Sequence, residues 1–111
     1  MFGMTRKPAH KEVDAHELAA MLRDGAAMVV DVREPDEYAG GHIPGAINLP
    51  LSRFSIAALP ESGDKTLILS CAGGKRSAMA LDKCATAEAA VDTHLAGGFG
   101  AWKMAGLPVE R

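Results

Sequence analysis

The chain has 111 residues, 48% of them hydrophobic and 23% charged, with 12 Lys+Arg against 14 Asp+Glu for a formal net charge of -2. This is ordinary globular composition for one domain with one core; it gives no basic surface for nucleic acid, and 2 cysteines make no disulfide scaffold. No apolar run approaches the ~18 residues that a membrane-spanning helix needs.

Met1 to Glu12 is polar and basic with no apolar stretch, unlike a secretory signal. The expectation is a soluble, cytoplasmic protein with a flexible arm over residues 1–12 and one folded domain over 13–109. Asp14 and Glu17 read as a capping box, and Leu18, Met21 and Leu22 follow at helical spacing until Gly25 stops the helix. Residues 27–32 form a nearly continuous apolar run, the pattern of a strand buried on both faces of a parallel sheet. Pro35 opens a short helix. A turn at residues 42–45 leads to a second short strand over 46–49. Residues 50–64 read as irregular, with a helical turn around Ile56. Residues 66–70 are the third strand. A glycine-containing loop follows, then a helix marked by Ala78, Met79, Leu81 and Ala85. A last strand is expected over 91–95, and a terminal helix over 99–105 that stops at Gly106 and Pro108. Strands alternating with helices predict an α/β fold, three-layered, with a central parallel sheet flanked by helices.

The chemistry concentrates at Cys71, just beyond a buried strand and just before a helix, where open α/β sheets bind ligands. Gly73 and Gly74 let the backbone curl so that successive N–H groups point inward, a nest for an anion. The next helix adds its unpaired N–H groups and the positive end of its dipole. These features lower the pKa of Cys71 and favour a nucleophilic thiolate. Lys75 and Arg76 oppose the dipole locally, which points to a role in recruiting an anion and activating the thiol. The alternative is a buried structural cysteine before a solvated helix start.

Three motifs together resemble rhodanese domains. The first is Asp31-Val32-Arg33-Glu34, then Tyr38, then Gly41-His42-Ile43-Pro44-Gly45-Ala46-Ile47-Asn48. The second is the Cys71 loop, similar to the six-residue active-site loop of that family. The third runs from Gly97-Gly98-Phe99-Gly100-Ala101-Trp102 to Gly106-Leu107-Pro108-Val109. The resemblance implies a small α/β domain and sulfur transfer. Cys71 would attack the outer sulfur of a donor such as thiosulfate, become a persulfide, and yield that sulfur to cyanide or a thiol. The backbone of Ala72, Gly73, Gly74, Lys75, Arg76 and Ser77 would cradle the persulfide and the donor's oxygens. No metal or organic cofactor is implied, and His10, His16, His42 and His94 are scattered along the chain. The implied partners are a small anionic donor and a thiol, cyanide or protein acceptor, with neither nucleic acid nor membrane. Thiosulfate-specific members place a basic residue early in the loop, where this chain has Ala72 and Gly73. The resemblance therefore implies the chemistry without naming the donor.

Other residues read as structural. Asp31 and Arg33, at a strand end on the active-site edge, are expected to pair and tether neighbouring loops rather than border the pocket. His42 is expected to fix its turn by a hydrogen bond. Trp102 and Phe99 pack the terminal helix. Cys84 lies roughly 12 Å or more along its helix from the loop and is expected to be a small buried hydrophobe. Two other functions stand beside the sulfurtransferase. A cysteine phosphatase or arsenate reductase shares the fold but needs five residues between Cys and Arg, where Ala72, Gly73, Gly74 and Lys75 make four. A sulfur carrier would present Cys71 persulfide to a partner protein.

Overall fold

The computed structural model describes residues 10–87 and 89–111. Among them are the strands β1 Lys11–Val13, β2 Ala27–Asp31, β3 Ile47–Asn48, β4 Thr66–Ser70 and β5 Thr93–Leu95. All neighbours pair in parallel, in the order β1-β5-β4-β2-β3. The helices are α1 Ala15–Arg23, α2 Pro35–Ala39, α3 Lys75–Thr86 and α4 Gly98–Met104. Leu18 of α1 and Phe99 and Trp102 of α4 pack on one face, against Val29, Ile68 and Leu95. Ala80 and Leu81 of α3 pack on the other, against Val30, Leu67 and Leu69. This is the expected three-layer α/β architecture.

The apolar runs decide which strands lie in the middle. Val29, Val30, Leu67, Ile68 and Leu69 are all buried, so β2 and β4 carry side chains into both helical layers. The predicted capping box starts α1: Asp14 Oδ1 accepts from Glu17 N at 2.7 Å and Glu17 Oε1 accepts from Asp14 N at 2.9 Å. Pro35 opens α2, and the irregular stretch contains two short 3-10 turns, Leu51–Arg53 and Ile56–Ala58.

Apart from shifts of one residue at the ends of β2, β3 and α4, two boundaries differ from expectation. Residues 1–9 of the expected arm lie outside the described residues, but Lys11 and Glu12 belong to β1, pairing with Thr93 and His94. This edge strand is three residues long and its two charged side chains are exposed, so it carries no apolar alternation to read. The last strand starts at Thr93 rather than residue 91, because Val91 turns its side chain onto the α3-side core before pairing with β4 begins.

Candidate active site

β4 ends at Ser70, and the chain turns through Cys71 to Gly74 before α3 begins at Lys75. Gly74 has φ +105°, a left-handed conformation open to glycine, and this turn points the following N–H groups inward. Gly74 N lies 3.0 Å and Ser77 N 3.3 Å from Cys71 Sγ, and Ser77 Oγ lies 3.5 Å away. Burial pushes the Cys71 thiol up. The Ser77 hydroxyl and the N–H groups of Ser77, Gly74 and Gly73 outweigh it, and the pKa falls below the ordinary thiol value. The sulfur is therefore buried yet more acidic than an ordinary thiol, unlike a thiol that only packs.

The loop is also held from outside. Phe99 N donates to Cys71 O at 2.7 Å and Gly100 N to Ala72 O at 3.0 Å. With these carbonyls turned out toward α4, the loop's amides turn in toward sulfur. The approach is possible because residue 98 is glycine: a Cβ there would lie 2.3 Å from Cys71 O, and its φ is +58°.

The six predicted loop residues are placed differently. Gly73, Gly74 and Ser77 supply the cradle. Ala72, Gly73 and Lys75 are exposed at its rim, and Lys75 has no ion-pair partner among the described residues. Arg76 behaves differently from the donor-binding cation expected. Its guanidinium grips Glu37 of α2 with two bonds, Nη1–Oε1 at 2.7 Å and Nη2–Oε2 at 2.9 Å. That grip raises the Arg76 pKa and holds Glu37 at about 2, against an opposing rise from partial burial. A bidentate carboxylate satisfies the arginine fork, so Arg76 clamps α3 to α2. A cleft of about 470 Å³ opens beside the loop, lined by Arg33, Glu37, Ala72, Phe99 and Lys103 among others.

Asp31 and Arg33 form the expected buried pair, Nη2–Oδ2 at 2.7 Å, and Arg33 also donates to Gly41 O at 2.7 Å. Arg33 lines the cleft as well, its guanidinium 4.4 Å above the Phe99 ring. His42 fixes its turn through Nδ1 and Tyr38 O at 2.8 Å, and stacks on the Tyr38 ring. Trp102 is buried and donates to Pro108 O at 2.7 Å. Cys84 is buried, and burial pushes its thiol up, away from the reactive range. No group of three His, Cys, Asp or Glu side chains poised to hold a metal occurs among the described residues. Nor is any helix there long and apolar enough to cross a membrane.

The sequence reading missed His94 and Glu12. His94 Nδ1 lies 2.8 Å from Ser77 Oγ, and its Nε2 lies 3.2 Å from Glu12 Oε2. The signal was a polar ring in the middle of a buried strand, which always demands a partner. Glu37 was also missed, because its partner stands 39 positions away.

A parallel α/β domain with a buried cysteine, cradled by amides at a strand-to-helix junction, defines a class of cysteine-loop α/β domains. Within that class the chain belongs to the rhodanese-like domain family, whose model it matches over residues 14–105. It is 44% identical over 94 residues to an uncharacterized protein of Synechocystis, covering 85% of this chain and 52% of that protein. The chain thus spans about half the length of that relative. A sulfurtransferase of Allochromatium vinosum is 32% identical over 99 residues, covering 88% of this chain and 92% of its own. An arsenate reductase of Oryza sativa is 34% identical over 113 residues, covering 89% and 86%. The crystal structure of a rhodanese-related protein from Thermoplasma volcanium superposes with a TM-score of 0.76 at 32% identity, over 91% of this chain and 98% of that one.

Proposed function

We propose that this domain is a sulfurtransferase that carries sulfane sulfur as a persulfide on Cys71. The observation that carries the reading is the pair of N–H groups, Gly74 at 3.0 Å and Ser77 at 3.3 Å, that donate to Sγ, with the Ser77 hydroxyl 3.5 Å away. The Cys71 thiolate attacks the outer sulfur of thiosulfate or of a persulfide donor. A new S–S bond forms, the donor's S–S bond breaks, and sulfite or a thiolate leaves with the electron pair. The persulfide anion lies among the same amides, which are fixed before the reaction and need no reorganisation. A thiol, cyanide or a protein acceptor then attacks the outer sulfur, and the Cys71 thiolate is the leaving group. No step requires a cofactor. Lys75, exposed at the loop, draws the anionic donor in.

Intact mass after thiosulfate treatment tests this reading. One added sulfur is expected on the protein and none on Cys71→Ser, which keeps its fold but cannot hold a sulfane sulfur. Thiosulfate turnover by Cys71→Ser would refute it. Comparing steady-state turnover with transfer to a protein acceptor separates a free-standing enzyme from a carrier.

The likeness to an arsenate reductase favours one alternative, reduction of arsenate or cleavage of a phosphate ester. Against it, only four residues separate Cys71 from Arg76, and Arg76 is engaged by Glu37 rather than free to grip two oxyanion oxygens. Cys71-dependent cleavage of an aryl phosphate or reduction of arsenate at a rate matching sulfur transfer would establish the alternative.

A further inference from the structure

Cys71, Ser77, His94 and Glu12 form an unbroken polar chain from the sulfur to the surface. Its links are 3.5 Å from Sγ to Ser77 Oγ, 2.8 Å from Oγ to His94 Nδ1, and 3.2 Å from His94 Nε2 to Glu12 Oε2. Cys71, Ser77 and His94 are buried, and Glu12 is exposed. The four residues come from the β4–α3 loop, α3, β5 and β1, so the chain exists only in the folded sheet.

Proton bookkeeping gives this chain a direction. Nε2 faces a carboxylate, so it must carry a hydrogen; a bare nitrogen there would oppose two acceptors. In the neutral ring Nδ1 is then bare; the Ser77 hydroxyl, which also lies 3.1 Å from Gly74 O, turns its single hydrogen to the nearer Nδ1 at 2.8 Å. Ser77 Oγ in turn presents a lone pair to the sulfur. The lone pairs of Sγ are met by Gly74 N–H and Ser77 N–H. The thiol hydrogen of Cys71 therefore points at Ser77 Oγ.

We propose that His94 is the proton acceptor for Cys71, acting as a positioning residue through the Ser77 hydroxyl. The S–H bond breaks, leaving its electron pair on sulfur, and a new O–H bond forms on Ser77. The original Ser77 O–H bond breaks as an N–H bond forms at Nδ1. No proton leaves the protein. The products are a thiolate, accepting from Ser77 O–H and two amides, and an imidazolium donating to Ser77 Oγ and to Glu12. Charges alternate negative, positive, negative along the chain.

The surroundings of His94 suit this task. From β1 it meets the Glu12 carboxylate, and just before β1 the His10 ring stands edge-on at 6.2 Å. His10 is itself held by Asp82 of α3 at 3.1 Å. From α3 it meets Ser77, and in the β4 register it sits beside apolar Leu69. Burial lowers the His94 pKa below the ordinary histidine value, against the pull of Glu12 and with a smaller push from His10. When neutral, the ring presents a bare Nδ1 to Ser77, and the Glu12 carboxylate at Nε2 offsets part of the burial cost of gaining a proton. The relay rests on Cys71 being the sulfur-carrying nucleophile, but it can be tested on the thiol alone.

The test is a pH titration of thiolate absorbance in the ultraviolet, taken as the difference from Cys71→Ser and without any sulfur donor. His94→Asn keeps a hydrogen-bonding atom near the Nδ1 position but cannot take up a proton. It should raise the thiolate midpoint by about one unit, a tenfold loss of thiolate at pH values below the step. Glu12→Gln, at an exposed site, should raise it by a smaller amount in the same direction. A His94→Asn titration that overlays the wild type overturns the relay, since the amide cradle then sets the thiolate alone. If His94→Asn does not fold, Glu12→Gln decides: a raised midpoint upholds the relay and an unmoved one overturns it. Persulfide formation on Cys71 alongside an unmoved titration would remove the relay and leave the sulfurtransferase intact.

Discussion

Arg76 was expected to meet the donor, and its grip on Glu37 predicts something else. A double-mutant cycle of Arg76→Met and Glu37→Gln separates the two roles. The grip holds Glu37 at about 2 against an ordinary 4.5. At about 1.4 kcal/mol per pH unit, that difference sets a ceiling of roughly 3.4 kcal/mol. The two side chains keep 31% and 35% of their surface in solvent, so screening cuts the figure to about 1 kcal/mol. The folded pKa lies below the unfolded one. The contribution is therefore complete above about pH 4.5 and fades as pH falls toward about 2. Urea denaturation of the four proteins reads this directly. At about pH 7 each single variant should lose about 1 kcal/mol and the double variant no more than that, a coupling of about 1 kcal/mol. At about pH 3 the coupling should fall by more than half. Additive losses, or a coupling indifferent to acid, would refute the clamp. A third refutation is kinetic: Arg76→Met raising the KM for thiosulfate about tenfold while Glu37→Gln leaves it unchanged, since a donor contact of that size is worth ~1.4 kcal/mol.

Gly98→Ala should cost about 2–5 kcal/mol by urea denaturation, from a left-handed φ plus a Cβ pressed against Cys71 O. Gly63→Ala, with a similar φ but open space around it, is the control and should cost on the order of 1 kcal/mol. Lys75→Ala should raise the KM for thiosulfate several-fold at low ionic strength and much less at high salt, with stability unchanged or slightly improved at this helix N-terminus; a salt-independent effect would show a purely structural role. Cys84→Ala should lower stability on the order of 1–2 kcal/mol while the protein still gains one sulfur from thiosulfate; loss of loading would make Cys84 a participant.

Much of this was legible in the chain. The apolar runs at residues 27–32 and 66–70 suit strands buried on both faces, and they became inner strands of the sheet. Cys71 stood out because glycines and cations break the local helix rules just after a strand. What stayed hidden depended on partners far along the chain. β1 has no apolar signal of its own and exists because β5 offers it a parallel edge. Arg76 reads as a free cation until α2 folds Glu37 against it. His94 reads as one of four scattered histidines until the register of β5 sets it beneath Ser77. Short-range pattern reveals burial and backbone geometry, whereas which polar groups meet is decided by topology.

The hold of α4 on the Cys71 loop has a consequence for how the protein is made. Phe99 and Gly100 supply the N–H groups that turn the carbonyls of Cys71 and Ala72 outward, and they are translated long after them. At about 5–20 residues per second, the 28 residues that follow Cys71 up to and including Phe99 take roughly 1.4–6 s to synthesise. Through that interval the Gly74 turn is in the chain, but the α4 amides that hold the Cys71 and Ala72 carbonyls are not. The loop therefore takes its final form only once α4 has packed against it, so the site and the last helix are completed together.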